Sequence, residues 1–357
     1  MSSLLTDLCR YPIVQAPMAG GVSGPGLVAA VAEAGGLGFL AAGYKTADGM
    51  YHEITQLRGL TGQPFGVNLF MPQPGLADPS AVEVYRHQLA GEAAWYETPL
   101  ADPDVGADDG YEAKLAILLE DPVPAVSFTF GCPTRDTLDA LAAAGTYTVV
   151  TVTTPEEAQT AQWSGADAVC VQGVEAGGHQ STHHDDPQAD GTGIGLLSLV
   201  AQVRETVQVP VIAAGGLMRG SQIAAVLAAG AEAAQLGTAF LACPESGAHP
   251  LHKRALTNPL FVRTALTRAF SGRPARGLVN RFMREHGPYA PAAYPQVHYL
   301  TAGLRKAAAA AGDAQGMALW AGQGHRMARE LPAGRLIELL AEELDAARTA
   351  VSTGSTQ

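Results

Sequence analysis
A (β/α)8 barrel of the TIM type, class α/β, carrying a smaller and mainly helical cap domain, is the fold this sequence predicts. Three observations predict it. Short apolar runs bounded by glycine or proline recur eight times, each short for a buried helix. Alanine-rich helical stretches follow most of them, giving units of about thirty residues, the span of a strand and its crossover helix. Several runs are apolar on both faces, as a parallel sheet buried between helices requires. Eight such units suit a closed barrel better than a doubly wound sheet.

The strands are expected at residues 13–16, 37–41, 65–70, 124–130, 146–151, 166–172, 209–213 and 233–236. Pro17 stops the first. A helix at 27–34 ends at Gly35-Gly36, and another covers 50–58. The helix at 138–144 ends at Gly145, and Pro155 opens one through residue 163, a favoured first-turn position. Helices follow at 196–207 and at 222–229, the latter capped by Ser221. Two stretches exceed a connection. Residues 71–121 hold helical runs at 82–94 and 111–119 and an acidic run, 102–110, expected as an exposed loop. Residues 243–319 hold further helices, including 259–270. These excursions are expected to pack together as a cap over the site. The barrel then takes 1–70, 122–242 and 320–357, and the cap takes 71–121 and 243–319. An amphipathic helix at 331–346 and a polar, frayed tail at 348–357 finish the chain.

The 357 residues are 47% hydrophobic and 16% charged, a composition that excludes a disordered chain. The net charge of −12 is spread out, with no basic stripe, which excludes the footprint of a nucleic-acid binder. It leaves room for a small anionic substrate, because a few local donors override the mean field. The wide spacing of Cys9, Cys132, Cys170 and Cys243 matches no zinc or disulfide pattern, so they read as free thiols in a reducing compartment. The first residues lack a basic region followed by an apolar run, and no apolar run is long enough to span a bilayer. A cytoplasmic protein without membrane association is expected; the oligomeric state stays open.

In a barrel the site lies at the C-terminal ends of the strands. The first strand runs into Pro17-Met18-Ala19-Gly20-Gly21, an apolar, close-approach surface on which a flat ring rests; a tight loop is the plainer reading. Asn68 interrupts the apolar run of the third strand and presents an amide, to a ligand ring or to a local turn. The sixth strand ends at Gln172, which offers a second amide. It is followed by GVEAGGH, whose glycines let backbone amides reach a ligand. His179 then projects from the loop. An imidazole titrates near neutrality and can take or return a proton, although a surface histidine on a turn fits the same letters. His183, His184, Asp185 and Asp186 offer metal ligands, but the run reads better as a polar loop, and no metal is expected. Gly216 on the seventh strand end, and Gln235-Leu236-Gly237-Thr238 on the eighth, expose backbone donors and a hydroxyl where barrels bind phosphate beside a helix N-terminus. No Walker loop is present, and no GxGxxG follows strand 1 in its dinucleotide form. A phosphate end, a flat-ring surface and one histidine match the layout of FMN, which would carry the redox chemistry while the protein orients and protonates.

The ordered motifs QAPMAGGVSGPGLVAAVAEAGGLGFL from Gln15, GVNLF from Gly66, SFTFG from Ser127, QGVEAGGHQ from Gln172, AAGGLMRGSQIAAVLAAGAEAAQLGTAF from Ala213 and LWAGQG from Leu319 cover most of the chain. Together they resemble the nitronate monooxygenase family, most of all the bacterial group acting on propionate 3-nitronate. The resemblance implies non-covalent FMN in the barrel and a helical cap over it. It also implies oxidative denitrification of alkyl nitronates by O2, giving a carbonyl compound with nitrite or nitrate. By motif it places flavin contacts on Met18, Asn68, Gln172, Gly177, Gly216, Gln235, Leu236, Gly237 and Thr238, with a final contact from Trp320, Gly322 and Gln323. It places the catalytic histidine on His179. Where family members often continue that motif with Arg-Gly, Gln180-Ser181 stand here, a departure that bears on the entrance loop and substrate preference. A nitronate needs no proton removed, whereas a neutral nitroalkane would use His179 as base. Two other readings remain: an FMN-dependent NAD(P)H enoyl-thioester reductase, and a non-catalytic barrel binding FMN or a phosphate ester. IMP dehydrogenase shares the barrel but needs a loop cysteine after strand 6, and Cys170 is expected inside a strand.

Overall fold
The computed structural model describes residues 7–73, 78–103 and 108–354. β1 (Ile13–Gln15), β2 (Leu37–Ala41), β3 (Phe65–Phe70), β4 (Ala125–Thr129), β5 (Tyr147–Val152) and β6 (Ala168–Gln172) run parallel, each paired with the next. The chain then makes a two-residue strand outside the barrel, β7 (Gly178–His179). β8 (Val211–Ala214) pairs with β6, and β9 (Ala233–Leu236) pairs with both β8 and β1, so the sheet closes. The expected eight-stranded barrel is present, and its strands coincide with the apolar runs.

The barrel interior is filled from opposing strands by Val14, Leu37, Phe39, Ala125, Tyr147, Val149, Ala168, Cys170, Ile212 and Ala233. Bulky and small residues alternate there, as layered barrel packing requires. Gly66 is such a small partner: the Phe39 ring lies 2.2 Å from where a Cβ on Gly66 would stand. A second apolar layer, including Val28, Leu57, Val67, Val126, Val200, Ile223 and Ile337, seals the sheet against the outer helices. Those helices begin for local reasons. Thr46 accepts from the Gly49 amide, and Thr154 accepts from the Glu157 amide with Pro155 in the first turn.

Several sequence expectations need correction. Ser221 does not cap the helix Gly220–Ala228. Arg219 occupies that position without a side-chain cap, and the Gly220 amide donates to Glu343 (2.8 Å) of the helix Ala333–Gly354. That last helix extends through the polar tail as far as residue 354, because its Leu336, Ile337, Leu340 and Leu344 are buried against the barrel layer; residues 355–357 lie outside the described residues. The run 82–94 is two helices, Pro79–Gln88 and Ala90–Trp95. The expected helix 259–270 is instead β10 (Thr264–Thr267), paired antiparallel with β11 (Ala275–Leu278), which pairs in turn with β7. Residues 264–278, expected within the cap, therefore form a three-stranded sheet with β7 from the segment expected in the barrel. Tertiary pairing overrode helical composition there.

Val82, Tyr85 and Leu89 pack with Phe270, Phe282, Val297, Leu300 and Leu304 in an apolar cluster of their own, and the Tyr85 hydroxyl donates to the Ala269 carbonyl (2.8 Å). The helix Tyr111–Glu120 packs on the barrel layer instead, through Tyr111, Leu115 and Leu118. Of the acidic run, residues 104–107 lie outside the described residues. Asp109 is drawn inward: it accepts from the Tyr44 amide (2.8 Å) and from Lys114 (2.7 Å). Among the described residues no helix is long and apolar enough to cross a membrane.

Candidate active site
A cavity of about 410 Å³ opens over the C-terminal ends of the barrel strands. Met18, Asn68, Gln172, Gly177, His179, Gly216, Gln235, Leu236, Gly237, Thr238 and Trp320 all line it. Gly322 and Gln323 do not. Gly322 sits behind the wall, its amide donating to the Thr238 hydroxyl (2.9 Å). Gln323 lines a neighbouring cavity of about 340 Å³ shared with Glu175, Gly215 and Gly216.

Each strand end contributes differently. The Asn68 amide group donates to Ser127 Oγ (2.9 Å), the Ser127 carbonyl (3.2 Å) and Thr129 Oγ1 (3.0 Å), which fixes it against β4. The Gln235 amide spends its NH2 on the Cys170 sulfur (3.3 Å), a weak acceptor. Gln172 is fully engaged within its own loop: its NH2 donates to the His179 carbonyl (3.1 Å) and its oxygen accepts from the Ser181 amide (2.8 Å). Gly216 adopts φ +66, a left-handed conformation that favours glycine. A side chain at Gly177 would stand 2.5 Å from the Gly322 nitrogen, so only glycine lets the two segments meet. Two helix N-termini at this end of the barrel are already closed by carboxylates: Glu175 accepts from the Leu196 amide (3.0 Å) as Glu343 does from Gly220. An anion here would therefore rest on the strand-end loops rather than on those helices.

His179 stands on strand, not on a free loop. Its residue pairs with Ala275 of β11, and the next amide, that of Gln180, donates to the Pro274 carbonyl (2.8 Å). The imidazole is boxed by Phe130, Tyr294 and Trp320, with ring centroids 5.7, 5.5 and 5.7 Å away. Its Nε2 lies 2.9 Å from the Ser271 hydroxyl. Burial, with Arg273 and Arg305 nearby, pushes its pKa down to about 3. The ring is therefore neutral at ordinary pH, a proton acceptor rather than a standing cation.

The residues around it carried little signal in the sequence. Arg273 lies under the Phe130 ring (4.3 Å) and donates to Gln73 Oε1 (2.6 Å) and to the Thr182 carbonyl. Tyr44 stacks on His298 at 3.8 Å and accepts from the Tyr294 hydroxyl (3.0 Å). Tyr44 and Phe130, both lining the cavity, adopt φ +65 and +73. Left-handed aromatic residues are strained and cluster at functional sites. Phe130 lies within SFTFG; Tyr44, Ser271, Arg273, Tyr294 and Arg305 had no motif to announce them. Arg305 lines the cavity, donates to the His298 carbonyl (2.7 Å), and keeps its Nε shielded without a partner. Among the described residues, none that lines the cavity is Asp or Glu, in a chain of net charge −12. Gln180 does not line the cavity, whereas Ser181 does. Asp185 is held by both nitrogens of the Arg268 fork (2.8 Å each) and His183 Nε2 rests on the Thr151 carbonyl (3.0 Å), so that loop is anchored to its neighbours.

A closed parallel barrel with a cavity at its strand ends, lined by a neutral imidazole and reached by a guanidinium from the helix Gln296–Ala310, has the layout of a small-molecule enzyme. Comparison makes the class specific. The sequence model of the family described as "Nitronate monooxygenase" matches residues 2–343, and the chain belongs to that family. The nitronate monooxygenase of Pseudomonas aeruginosa is 46% identical over 351 residues, covering 94% of this chain and 96% of that one. A crystal structure from a mutagenesis study of nitroalkane oxidase from Streptomyces ansochromogenes aligns with a TM-score of 0.96 and 75% identity, covering 98% of this chain and 100% of that one. FabK from Thermotoga maritima aligns with a TM-score of 0.74 and 29% identity, covering 99% of each chain. The protein is an oxygenase of nitronate oxidation.

Proposed function
We propose that the chain binds FMN without a covalent link and uses O2 to convert alkyl nitronates, propionate 3-nitronate foremost, to a carbonyl product with nitrite or nitrate. The observation that carries the substrate preference is Arg305, whose guanidinium lines a cavity with no carboxylate among the described lining residues and whose Nε has no partner. A half-buried cation with no counter-ion among the described residues holds an unmet charge, and the anionic tail of a carboxylated nitronate pairs with it. The donor set also suits FMN. Met18 and Leu236 offer an apolar face, Asn68 and Gln235 offer amides, and Gly216, Gly237 and Thr238 offer phosphate donors where Gly216 already has positive φ. Gly177 and Gly178 let the β7 segment approach the ring, and a Cβ at Gly178 would meet open space. Trp320 lines the same cavity, and Gly322 and Gln323 support it from behind. When bound, FMN supplies the electron transfer to oxygen.

The chain's own residues then do three things. Arg305 orients the anion, the aromatic box of Phe130, Tyr294 and Trp320 excludes water, and neutral His179 accepts a proton when the substrate arrives as a nitroalkane. The barrel segments 1–70, 122–242 and 320–357 hold the cofactor in this reading, and 71–121 and 243–319 form the substrate side. The test is a visible spectrum of the purified protein followed by oxygen uptake with propionate 3-nitronate against alkyl nitronates. A yellow protein with uptake favouring the carboxylated substrate is expected. A colourless protein that takes up no flavin, or rapid anaerobic bleaching by NADH or NADPH, overturns it.

A further inference from the structure
His179 has a partner that lies 92 residues further along the chain. Ser271 is 1% exposed and sits between two groups: His179 Nε2 at 2.9 Å and the Arg273 carbonyl, to which its hydroxyl donates, at 3.2 Å. A hydroxyl has a single proton. A carbonyl oxygen can only accept, whereas a ring nitrogen can accept or donate, so both contacts are made at once only when the Ser271 proton goes to Arg273. Toward the ring, Ser271 is then an acceptor, and the ring nitrogen facing it must carry the hydrogen. The other ring nitrogen, Nδ1, has no hydrogen-bond partner among the described residues. The ring itself lines the cavity.

We propose that Ser271 is a positioning residue: its hydroxyl, committed to the Arg273 carbonyl, holds neutral His179 as the Nε2–H tautomer and leaves the Nδ1 lone pair as the site's base. This inference rests on the function proposed above. The step it prepares is a simple one. The α-C–H bond of a neutral nitroalkane breaks, its electron pair stays on the substrate as the nitronate, and the proton forms a new N–H bond at Nδ1. The resulting imidazolium keeps its Nε2–H on Ser271, so no rearrangement accompanies the transfer. The arrangement parallels other base–orienter pairs, in which a buried third group selects the tautomer of a histidine; here the third group is a neutral hydroxyl and carbonyl rather than a carboxylate. A carboxylate at that place would raise the basicity of the ring, whereas this pair orients it without adding charge. Two neighbours add rigidity. The Arg273 amide approaches the same hydroxyl at 3.4 Å, and β7 is paired to β11 directly after the turn that carries Ser271. A preformed nitronate has no α-proton to surrender at this stage, so it has less use for the tautomer.

The experiment has two readouts. The first is ¹⁵N NMR of histidine-labelled protein, with His179→Asn as the assignment blank; a protonated Nε2 and an unprotonated Nδ1 on His179 are expected in the wild type. The second is kinetic. Ser271→Ala should lower kcat/KM for a neutral nitroalkane by about 10- to 100-fold, the loss of one buried hydrogen bond at the base. It should leave that for the matching nitronate within about 3-fold, and Ser271→Thr should restore the nitroalkane rate. A wild-type ring protonated on Nδ1 overturns the proposal, as does an equal loss on both substrates. A wild type inactive on every nitro compound would instead defeat the function proposed above, while the NMR result still decides the tautomer. The same holds if Ser271→Ala fails to fold, since the wild-type spectrum needs no variant at this position.

Discussion
Replacing Arg305 with methionine keeps an unbranched, flexible stem and removes the charged guanidinium. In the structure the guanidinium donates to the His298 carbonyl at 2.7 Å, and its Nε is buried without a partner. Losing the bond to His298 costs about 1.5–3 kcal/mol, as for hydrogen bonds to charged groups. Removing a half-buried charge that has no counter-ion among the described residues recovers about 1–3 kcal/mol of desolvation in the other direction. The two nearly offset, so Arg305→Met should melt at the wild-type temperature or slightly above it. Catalysis should not be spared. One charge-assisted bond to a substrate carboxylate is worth about 1.5–3 kcal/mol, or about 10- to 150-fold in KM at 1.36 kcal/mol per decade. Oxygen uptake measured with propionate 3-nitronate and with an uncharged-tail nitronate of equal length separates the effects. KM should rise for the first and change by less than about 3-fold for the second. Equal losses on both, or a marked fall in melting temperature, would refute the assignment of Arg305 to the substrate tail.

Other outcomes follow from the same geometry. Burial holds His179 near pKa 3 and His252 near 4, both below the ordinary 6.5, so the unfolded chain binds more protons than the native one between those values. Their contribution to stability is complete above pH 6.5 and lost as pH falls toward 4; the melting-temperature difference between wild type and His252→Asn isolates the His252 part, and a difference flat across that window would contradict it. His179→Asn should lower kcat/KM for a neutral nitroalkane by about 10²–10⁴-fold and retain much of the nitronate rate, read from the ratio of the two. Arg268 is 7% exposed and clamps Asp185 together with the Gly272, Asp186 and Ala189 carbonyls. Arg268→Met should therefore cost about 3–5 kcal/mol in denaturant unfolding and open residues 182–191 to protease, and a loss under about 1 kcal/mol would show the clamp to be dispensable.

The barrel was legible because its signal is local. Runs such as FGVNLF are apolar on both faces, and their glycines and prolines mark where each must stop. The cap sheet was not. TALT at 264–267 sits in an alanine- and leucine-bearing stretch that reads as helix. It becomes strand only because β11 lies beside it, and β11 in turn holds two residues from far upstream. The Ser221 cap failed for a related reason: the carboxylate that closes that helix comes from Glu343, 123 residues away. In the site, glycine-marked positions such as Gly177, Gly216 and Gly237 were readable, since a bare backbone announces close approach. Gln172 was expected as a ligand contact; it lines the cavity, and its amide holds the His179 strand.

From its letters alone this chain determined an eightfold parallel barrel, the strand ends over which a cavity opens, and the histidine that lines it. Those features follow from short-range patterns: apolar periodicity, turn residues and glycine where a side chain would collide. Only the folded molecule decided what kind of histidine it is. Its neutrality comes from burial and two arginines, at positions 273 and 305, and its hydroxyl partner at 271 comes from a cap turn. Electrostatics and desolvation depend on distances in space, and no spacing along the chain encodes them.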